Sequence, residues 1–466
     1  MAGSSLPVAN PTISFWGAAA HRLADYRSTS ELPPQVDIAV IGAGYAGVST
    51  VHHILNSCKS QGTSPPRIAI FEARQACSGA TARNGGHLKP DIYSGPANLA
   101  VSHGVDAAAE VASFEVRNLA AVKRTIEDNK IDCDFVYTRA VDVFMTDETA
   151  AQAKSKIDLL RNNANLTIAD LYFVEGPDSE RLSGVKGAKA CATFSAGHLF
   201  PRKLILDLLT RTLDAGVNLQ THTPVTGVSK TTDTDGYVTI TTPRGQMRAR
   251  NVIFATNGYT NALLPEFADK IIAARGICSH IRPARAVAAP ALRTSYMIRW
   301  SDTNYEYLIP RLDGSIVVGG ARSEFFHDLP SWYNNANDDA LIESARHYFD
   351  GFMQRVFHGW EDSGAKVDRI WTGIMGYTSD SLPFVGKIPG RKNQYILAGF
   401  NGHGMPQVFL AAKGIAAMVV DKAGFGDVDI PAIFEITQAR LDSTGNNVLE
   451  NWRKAQKTFE ARRARL

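Results

Sequence analysis

The sequence has little of what marks several common protein classes. Its five cysteines are scattered over 466 residues without a C-x-x-C pair, which disfavours a zinc site or a dithiol redox centre and fits a reduced intracellular compartment. No apolar run is long enough to span a membrane, and the start of the chain lacks the charged and apolar blocks of a signal peptide. A net charge of +3 gives no reason to expect a nucleic-acid partner.

The remaining composition is that of an ordinary soluble globular protein. Hydrophobic residues make up 44% of the chain and charged residues 20%. At 466 residues the chain is too long for one small core, so two or three domains are expected. No internal repeat or low-complexity linker separates these domains, and the chain is expected to cross between them more than once.

The segment VDIAVIGAGYAGVSTVHHIL, residues 36–55, predicts a buried strand, a glycine-rich turn and a helix. Gly42, Gly44 and Gly47 form G-x-G-x-x-G at this junction, a context that indicates a dinucleotide site. Gly42 permits the tight turn, Gly44 lets the backbone approach a pyrophosphate, and Gly47 lets helix and strand pack closely. The phosphates would face the helix N-terminus. The other residues assigned to this turn are Ala43, Tyr45 and Ala46.

A second predicted strand, RIAIFEA, contains Glu72, whose carboxylate can accept hydrogen bonds from a ribose diol. The loop after it includes residues 79–85, which are small or polar apart from Arg83. Such a loop suits close contact with a large bound group better than core packing. Arg83 is either a cofactor-side residue or an ordinary surface arginine. The other candidate cofactor-binding residues here are Ala73, Arg74, Ala80, Thr81, Asn84, Gly85, Gly86 and His87.

The ordered motifs of the chain resemble those of the D-amino-acid oxidase superfamily of FAD enzymes, which includes glycine, sarcosine and glutamylputrescine oxidases. The motifs are VIGAGYAG, GATARNGGH, GHLFPRKLILDLL, GVNLQTHTPVTGV, VIFATNGYT, SIVVGGAR, MGYTSDSLPFVGKIP and YILAGFNGHGMP. The resemblance covers nearly the whole chain, and GATARNGGH looks most similar to the glutamylputrescine oxidase branch and its fungal relatives. It implies FAD as the cofactor.

The resemblance also implies an α/β fold, with a Rossmann-type FAD-binding domain interleaved with a second α+β substrate domain built on a mainly antiparallel sheet. Residues 1–35 would form an N-terminal extension that either packs on the body or lies across a neighbouring subunit. The FAD-binding domain is predicted from residues 36–105, 191–267 and 369–466, and the substrate domain from residues 106–190 and 268–368.

The stretch AGFNGHGMPQ lies between a short predicted strand and a predicted helix at about 405–421. In the resembled family this stretch passes beside the flavin ring, where backbone N–H groups and the helix dipole would stabilise negative charge on the reduced ring. Gly399, Gly402 and Gly404 would allow that approach. His403 either lines the ring edge or packs against its surroundings. The resemblance also implies cofactor contacts from Phe400, Asn401, Met405, Thr256, Asn257 and Gly258.

Other family positions are less settled or depart from the pattern. Val225 is either a backbone contact of the adenine or a half-buried strand residue. The position of the flavin-bonded cysteine of sarcosine oxidases matches Gly373, seven residues before Asp380, so we predict non-covalent FAD beside both residues. The position of a carboxylate-holding arginine in the glycine-oxidase branch matches Met375, which argues against recognition of a simple α-amino acid by that route. A lysine just after the G-H-G element of sarcosine oxidases matches Pro406.

The substrate-side candidates lie in TNYEYLIPRLDGSIVVGGAR and at the end of GATARNGGH. Tyr305 and Tyr307 share one face of a predicted strand and either flank a substrate amine or pack against a helix. Arg322 either holds a carboxylate bidentately or lies at the surface. His87 either lies near the ring or is satisfied by backbone. No general base is assigned, because an amine that binds in its neutral form does not need one.

The leading hypothesis is an FAD-dependent oxidase of a small-molecule primary or secondary amine or amino acid. A hydride would pass from the C–N unit to the flavin, giving an imine, and O2 would be reduced to hydrogen peroxide. The alternatives are a dehydrogenase that uses another electron acceptor and a flavin-binding protein without turnover. A flavin hydroxylase is disfavoured, because no second nucleotide fold is found.

The chain ends in Ala464-Arg465-Leu466, which resembles the small-basic-Leu tail read by a peroxisomal import receptor, although a basic helical tail also ends this way by chance. We therefore expect an intracellular protein, peroxisomal if this tail is read and otherwise cytoplasmic. No membrane contact is expected. The protein is expected to be a monomer or a homodimer.

Overall fold

A computed structural model describes residues 6–161, 163, 166, 168–285 and 289–463, which form two β-sheets with helices around them. The strands are β1 (Gln35–Ile41), β2 (Ile68–Phe71), β3 (His87–Leu88), β4 (Val136–Phe144), β5 (Tyr172–Glu175), β6 (Ala190–His198), β7 (Asn218–Gln220), β8 (Gly227–Val228), β9 (Val238–Thr242), β10 (Gly245–Phe254), β11 (Ile271–Arg282), β12 (Ser295–Arg299), β13 (Tyr305–Pro310), β14 (Ile316–Gly319), β15 (Lys366–Thr378), β16 (Phe384–Lys387) and β17 (Gln394–Ala398). The helices are α1 (Tyr45–Gln61), α2 (Ser94–His103), α3 (Val105–Asn129), α4 (Asp147–Arg161), α5 (Pro177–Ser183), α6 (Pro201–Asp214), α7 (Arg322–Phe325), α8 (Leu329–Trp332), α9 (Phe352–Val356), α10 (Val408–Val420), α11 (Gln438–Asp442) and α12 (Asn447–Arg463).

The first sheet has the order β16-β17-β10-β1-β2-β7, and β9 and β8 extend it from β10. β1 pairs in parallel with both β10 and β2. Its residues are buried on both faces: Ile38 and Val40 pack with α1, α3, α6 and α10, whereas Ala39 and Ile41 pack with β9 and β10. A parallel sheet covered on both faces explains why the sequence of β1 is continuously apolar. The predicted Rossmann-type architecture is confirmed.

The second sheet has the order β15-β11-β14-β13-β12-β4-β6-β3, with β5 on β6. Its pairs are antiparallel except β12 with β4, so the predicted mainly antiparallel sheet is confirmed. Both β6 and β15 belong to this sheet, so the predicted domain boundaries at 190/191 and 368/369 fall inside its strands. The exact division of the chain into domains stays a prediction.

The described part of the N-terminal extension packs on the body of the same chain. Trp16 is fully buried, the amide of Ala76 donates to the carbonyl of Ala24, and Arg27 forms a bridge with Gln220. Of the two alternatives left open by the sequence, the structure therefore has the first. Among the described residues, no helix combines the length and apolarity needed to cross a membrane. Residues 464–466, the predicted import signal, lie outside the described part of the chain.

Close packing of α1 on β1 depends on Gly47. A Cβ at this position would lie 2.0 Å from the carbonyl oxygen of Gly42. We expect Gly47→Ala to lower the free energy of unfolding by about 1–3 kcal/mol or more. The reason is that the helix backbone at residue 47 and the carbonyl of Gly42 cannot move apart without displacing the turn between them. Chemical denaturation measures this loss. Gly426→Ala is the matched control, since no atom lies within 4 Å of the added Cβ; equal losses in the two variants would contradict this account.

Candidate active site

One cavity of about 410 Å³ is lined by residues from both sheets. Most of the predicted site residues meet at its wall, although they are far apart in sequence. The predicted residues that line it are Gly42, Gly44, Tyr45, Ala46, Glu72, Ala73, Arg74, Ala80, Thr81, Arg83, Asn84, Gly85, His87, Val225, Thr256, Asn257, Gly258, Tyr305, Tyr307, Arg322, Gly373, Phe400, Asn401, Gly402, His403, Gly404 and Met405.

The glycine-rich turn and Glu72 form one end of the cavity. Gly42 has a φ of 114° and donates its amide to the carbonyl of Phe71 over 2.7 Å. The carboxylate of Glu72 accepts the amides of Ala43 and Arg74, each over 3.0 Å. The turn after β1 and the loop after β2 are therefore held together by one side chain. The first turn of α1 opens on the cavity beside them, and the amide of Tyr45 in this turn donates to Oγ1 of Thr81 over 2.9 Å.

Ala43, Gly47 and Gly86 do not line the cavity. Ala43 is fully buried and contributes through its amide, which binds Glu72. Gly47 allows the helix–strand packing described above. A Cβ on Gly86 would lie 2.6 Å from Cδ1 of Ile309 and 2.8 Å from the carbonyl of Leu199, so this glycine is required by packing. The packing role expected for Gly47 agrees with the structure, and the assignment of Ala43 and Gly86 to the cofactor site stays a prediction.

Asp380 and Gly399 also lie outside the lining. The carboxylate of Asp380 pairs with the guanidinium of Arg440, with contacts of 2.7 and 3.2 Å, so it fixes α11, and its assignment to the cofactor site stays a prediction. Gly399 has a φ of 78°, and a Cβ there would lie 2.4 Å from Cγ2 of Thr378. The close approach that this glycine permits is therefore to a neighbouring strand. Gly402, with a φ of 76°, does line the cavity.

A buried charge cluster braces the wall beside Glu72. The carboxylate of Asp338 is fully buried and contacts Nη1 of Arg74 at 2.9 Å and Nε of Arg83 at 3.3 Å. Arg83 also donates to the carbonyl of Thr372 over 2.6 Å. Arg83 thus lines the cavity, and its guanidinium is bound by protein groups. Burial raises the pKa of the nearby Tyr259 hydroxyl, so this tyrosine is neutral.

Tyr305 and Tyr307 both line the cavity from β13, as their shared face predicts. Tyr307 packs edge-on against His87, with ring centroids 5.7 Å apart, and its hydroxyl is 3.3 Å from Sγ of Cys278. Burial lowers the pKa of His87 to about 3, so the imidazole is neutral. His87 therefore cannot supply a positive charge to the site, although it can donate or accept a hydrogen bond.

Arg322 is turned into the cavity by the unusual backbone before it. Gly320 and Ala321 have φ values of 137° and 57°, which reverse the chain between β14 and α7. The guanidinium lies 4.2 Å from the ring centre of Phe326, and Nη1 donates to the hydroxyl of Tyr305 over 3.5 Å. Within the described chain no carboxylate forms an ion pair with it. The surface alternative is wrong, since Arg322 is a half-buried cation of the cavity wall.

Two further basic groups of the wall are paired with carboxylates. Nζ of Lys89 lies 3.0 Å from the buried carboxylate of Asp142. Nε2 of His403 lies 2.8 Å from the carboxylate of Glu115, and 40% of the His403 side chain is exposed to the cavity. Burial lowers the pKa of His403, but the charge and hydrogen bond of Glu115 raise it by more, and the net shift is upward. His403 therefore both lines the cavity and packs.

Sequence reasoning did not find several residues of the wall. Tyr377 could have been found from strand alternation, because it lies two residues after Met375 on β15. Lys89 follows directly after the end of β3, so alternation does not indicate it. Burial raises the pKa of Tyr377 to about 12, so it is a neutral hydroxyl. The other missed residues have no local signal that separates them from core positions. They include Leu6, Pro7, Tyr259, Arg275, Met297, Phe325, Phe326 and Trp332.

Comparison with known protein families agrees with this geometry. The model of a family described as FAD dependent oxidoreductase matches residues 37–418. The chain belongs to this family. The resemblance stated from the sequence motifs is thus confirmed, and FAD is the cofactor. The finer assignment to a fungal-type branch stays a prediction.

Individual relatives are distant but cover most of the chain. The γ-glutamylputrescine oxidoreductase of Escherichia coli K12 is 24% identical over 415 residues, which cover 88% of this chain and 89% of that protein. The glycine oxidase of Geobacillus kaustophilus has a TM-score of 0.67 at 20% identity and covers 87% of this chain and 99% of its own. L-α-glycerophosphate oxidase of Mycoplasma pneumoniae, solved with FAD bound, has a TM-score of 0.60 at 14% identity, covering 83% and 95%. These structural likenesses show the fold.

The cavity wall fits an FAD-dependent oxidoreductase. Four buried polar atoms of lining residues have no hydrogen-bond partner within the described protein: Nε of Arg74, Nε of Arg275, Nε2 of His87 and the hydroxyl of Tyr259. Buried polar atoms are almost always satisfied, so a polar ligand is expected against them. A Cβ on Gly44 would lie 3.1 Å from Oγ1 of Thr81, a tight contact that glycine avoids at this turn. A dinucleotide supplies the phosphate, ribose and ring atoms that such a wall requires.

The raised pKa of His403 makes a testable contribution to stability. Because the folded protein binds this proton more tightly than the unfolded chain, the contribution is full below pH 6.5, the ordinary pKa of histidine, and is lost as pH rises through the raised value. We expect the difference in Tm between the wild type and His403→Gln to be largest below pH 6.5 and to shrink above it.

Thermal unfolding over a pH series measures this difference. His347→Gln is the matched control, because His347 also contacts a carboxylate, Asp350 at 3.0 Å, but its side chain is 81% exposed. Its Tm difference should be small throughout. A His403→Gln difference that is independent of pH, or grows with rising pH, would contradict the assigned charge.

Proposed function

We propose that the protein oxidises a small-molecule amine or amino acid that carries an anionic group, with O2 as the electron acceptor. The observation that carries the proposal is Arg322, a cation of the cavity wall with aromatic rings beside it and no carboxylate partner in the described chain. A guanidinium in this setting binds a carboxylate through two parallel hydrogen bonds. The names of the similar proteins, a glutamylputrescine oxidoreductase and a glycine oxidase, support an amine or amino acid as the donor.

The reaction balances without a protein-derived oxidant. An amine with a hydrogen on the carbon next to nitrogen loses two electrons and two protons and becomes an imine, and O2 gains them and becomes hydrogen peroxide. FAD, when bound, supplies the chemistry that accepts a hydride equivalent. The imine then hydrolyses to a carbonyl compound and an amine.

The residues of the chain bind and orient the donor. Arg322 and the hydroxyl of Tyr305 would hold its anionic group. Tyr305, Tyr307 and Met297 line one part of the wall, so they would cover the C–N unit and exclude water from it. Neutral His87 is available at the other side of Tyr307 as a hydrogen-bonding group. No carboxylate or neutral lysine is required as a base if the amine enters unprotonated.

His403 supports O2 as the acceptor over another carrier. Oxygen gains negative charge as it is reduced, and a fixed positive charge in a site without bulk water lowers the energy of that step. His403 lines the cavity between two wall glycines, Gly402 and Gly404, and Glu115 favours its protonated form. Lys89, whose Nζ lies 3.0 Å from the carboxylate of Asp142, is a second paired cation of the same wall.

Peroxisomal import through Ala464-Arg465-Leu466 belongs to the same proposal. An enzyme that forms hydrogen peroxide suits a compartment that degrades it, and the tripeptide has the small-basic-Leu pattern. Its support is the sequence pattern alone.

An anaerobic titration tests the reaction itself. Pooled amines and amino acids should bleach the oxidised-flavin absorbance, and admission of air should restore it while peroxide forms. Bleaching that persists in air would mean an acceptor other than O2. Absence of bleaching by any anionic amine would contradict the proposed function.

After denaturation the flavin should stay in the supernatant, because Gly373 occupies the position expected for a covalent cysteine; yellow protein in the pellet would contradict the non-covalent assignment.

Substitution of Arg322 tests the anion site. For the substrate found in that titration, we expect Arg322→Met to raise KM by about tenfold to a hundredfold with a smaller change in kcat. The reason is that the same hydrogen-bonded charge pair is lost from the bound substrate and from the bound transition state. Arg322→Lys should recover part of the affinity. Arg346→Met is the matched control, since Arg346 is exposed and pairs with Glu343 at 2.7 Å. Equal KM values in wild type and Arg322→Met would contradict the site.

A further inference from the structure

The N-terminal residues 6–16, here called the strap, follow the cavity wall from Glu72 to Asn84. We propose that the strap is part of the cofactor site and holds FAD in place. Neither the G-x-G-x-x-G motif nor the family match, which begins at residue 37, includes this segment. The inference concerns retention of the cofactor and is independent of which substrate is oxidised.

The N-terminal end of the strap lies at the part of the cavity wall that contains Glu72. Leu6 and Pro7 are themselves part of the cavity lining. The carbonyl of Val8 accepts a hydrogen bond from Nη1 of Arg74 over 3.3 Å, and the amide of Arg74 donates to Glu72 over 3.0 Å. The strap therefore covers the region in which Glu72 would bind the ribose, and it fixes the side chain next to that acid.

The middle of the strap binds the buried charge cluster. The carbonyl of Thr12 accepts from Nη2 of Arg83 over 2.5 Å, and its Oγ1 accepts from Nη1 over 3.1 Å. The amide of Thr12 donates to the carbonyl of Asp338 over 2.7 Å. Because Arg83 and Asp338 are almost fully buried, water cannot replace these bonds without opening the wall. One residue of the strap thus joins the loop after β2 to the segment before α9.

The far end of the strap supports the loop that precedes β3. Trp16 is fully buried and donates its Nε1 hydrogen to the carbonyl of Asn84 over 2.6 Å. A Cβ on Gly86 would lie 3.1 Å from the Trp16 ring. Arg311 lies over the same ring, 5.2 Å from its centre. Asn84 and Gly85 line the cavity on the other side, so the indole is the backing of this part of the wall.

Three successive contacts therefore join the strap to three successive parts of the cofactor wall. If the strap only stabilised the fold, its loss would lower the stability of the protein with and without FAD by the same amount. If it holds FAD, its loss must also weaken FAD binding, and the stabilisation that FAD gives must fall. This difference separates a cofactor-binding segment from a structural one.

The first test is a chain that begins at residue 9, prepared as apoprotein and titrated with FAD. It lacks Leu6, Pro7 and the Val8 carbonyl but keeps Thr12 and Trp16. We expect the Kd for FAD to rise on the order of tenfold. The reason is that the wall loses Leu6 and Pro7, and that the guanidinium of Arg74 loses its hydrogen bond to the carbonyl of Val8. The Tm gained on adding FAD should fall. An unchanged Kd, with equal losses of Tm in the apo and holo forms, would overturn the proposal.

A matched pair of substitutions tests the middle of the strap in the full chain. Thr12→Val removes the hydroxyl that accepts from Arg83 and keeps the side-chain volume. Ile13→Ala changes the next residue, whose side chain is 64% exposed. Thr12→Val should raise the Kd for FAD several-fold over that of Ile13→Ala. If the shortened chain does not fold, this pair decides, and equal Kd values in the two variants would refute the role of the strap.

Discussion

The buried carboxylate of Asp338 is the interaction on which the arrangement of the site depends. It contacts Arg74 and Arg83 at 2.9 and 3.3 Å, and both arginines belong to the loop after β2 that lines the cavity. Removing one member of a buried pair leaves an uncompensated charge, which costs about 3–5 kcal/mol. Asp338 itself lies far along the chain, among elements of the second sheet. The ion pairs of Asp338 with Arg74 and Arg83 therefore hold the loop after β2 of the first sheet in a fixed position relative to the second sheet.

Pairing with a buried carboxylate distinguishes the cations that stabilise the wall from a cation that is available to a ligand. Lys89 and His403 are cations of the wall, but Asp142 and Glu115 contact them directly. Arg322 is different, because its neighbours in the described structure are aromatic rings and one tyrosine hydroxyl. A cation that is desolvated but not neutralised gains most from an anionic ligand. The proposed anionic group of the substrate therefore rests on the absence of a carboxylate partner at Arg322 in the described chain, and not on the number of cations in the wall.

Local chemistry could be predicted from the sequence, whereas long-range partners could not. The turn before α1 and the acid Glu72 were readable because strand, turn, helix and acid follow one another, and backbone conformation fixes their meeting. The ion pair of Asp380 with Arg440 could not be predicted, because the two residues lie 60 positions apart in the sequence. A glycine at position 399 indicates only that another group lies close to the backbone, and in the structure the side chain of Thr378 is such a group. The strap had no motif, since its contacts use mostly backbone carbonyls.

The glycine-rich stretch after β17 is positioned by asparagine side chains. Asn257 and Asn401 both have positive φ, at 44° and 53°, where asparagine is among the tolerated residues. Oδ1 of Asn257 accepts the amide of Gly399 over 3.0 Å, and Oδ1 of Asn401 accepts the amide of Thr378 over 2.8 Å. The amide of Asn401 in turn donates to the carbonyl of Gly376. The stretch is thereby bound to β15 of the second sheet and to the turn after β10 of the first. Glycine supplies the conformational freedom, and the two asparagine side chains hold the loop in one arrangement, so that a loop rich in glycine can form a fixed part of the cavity wall.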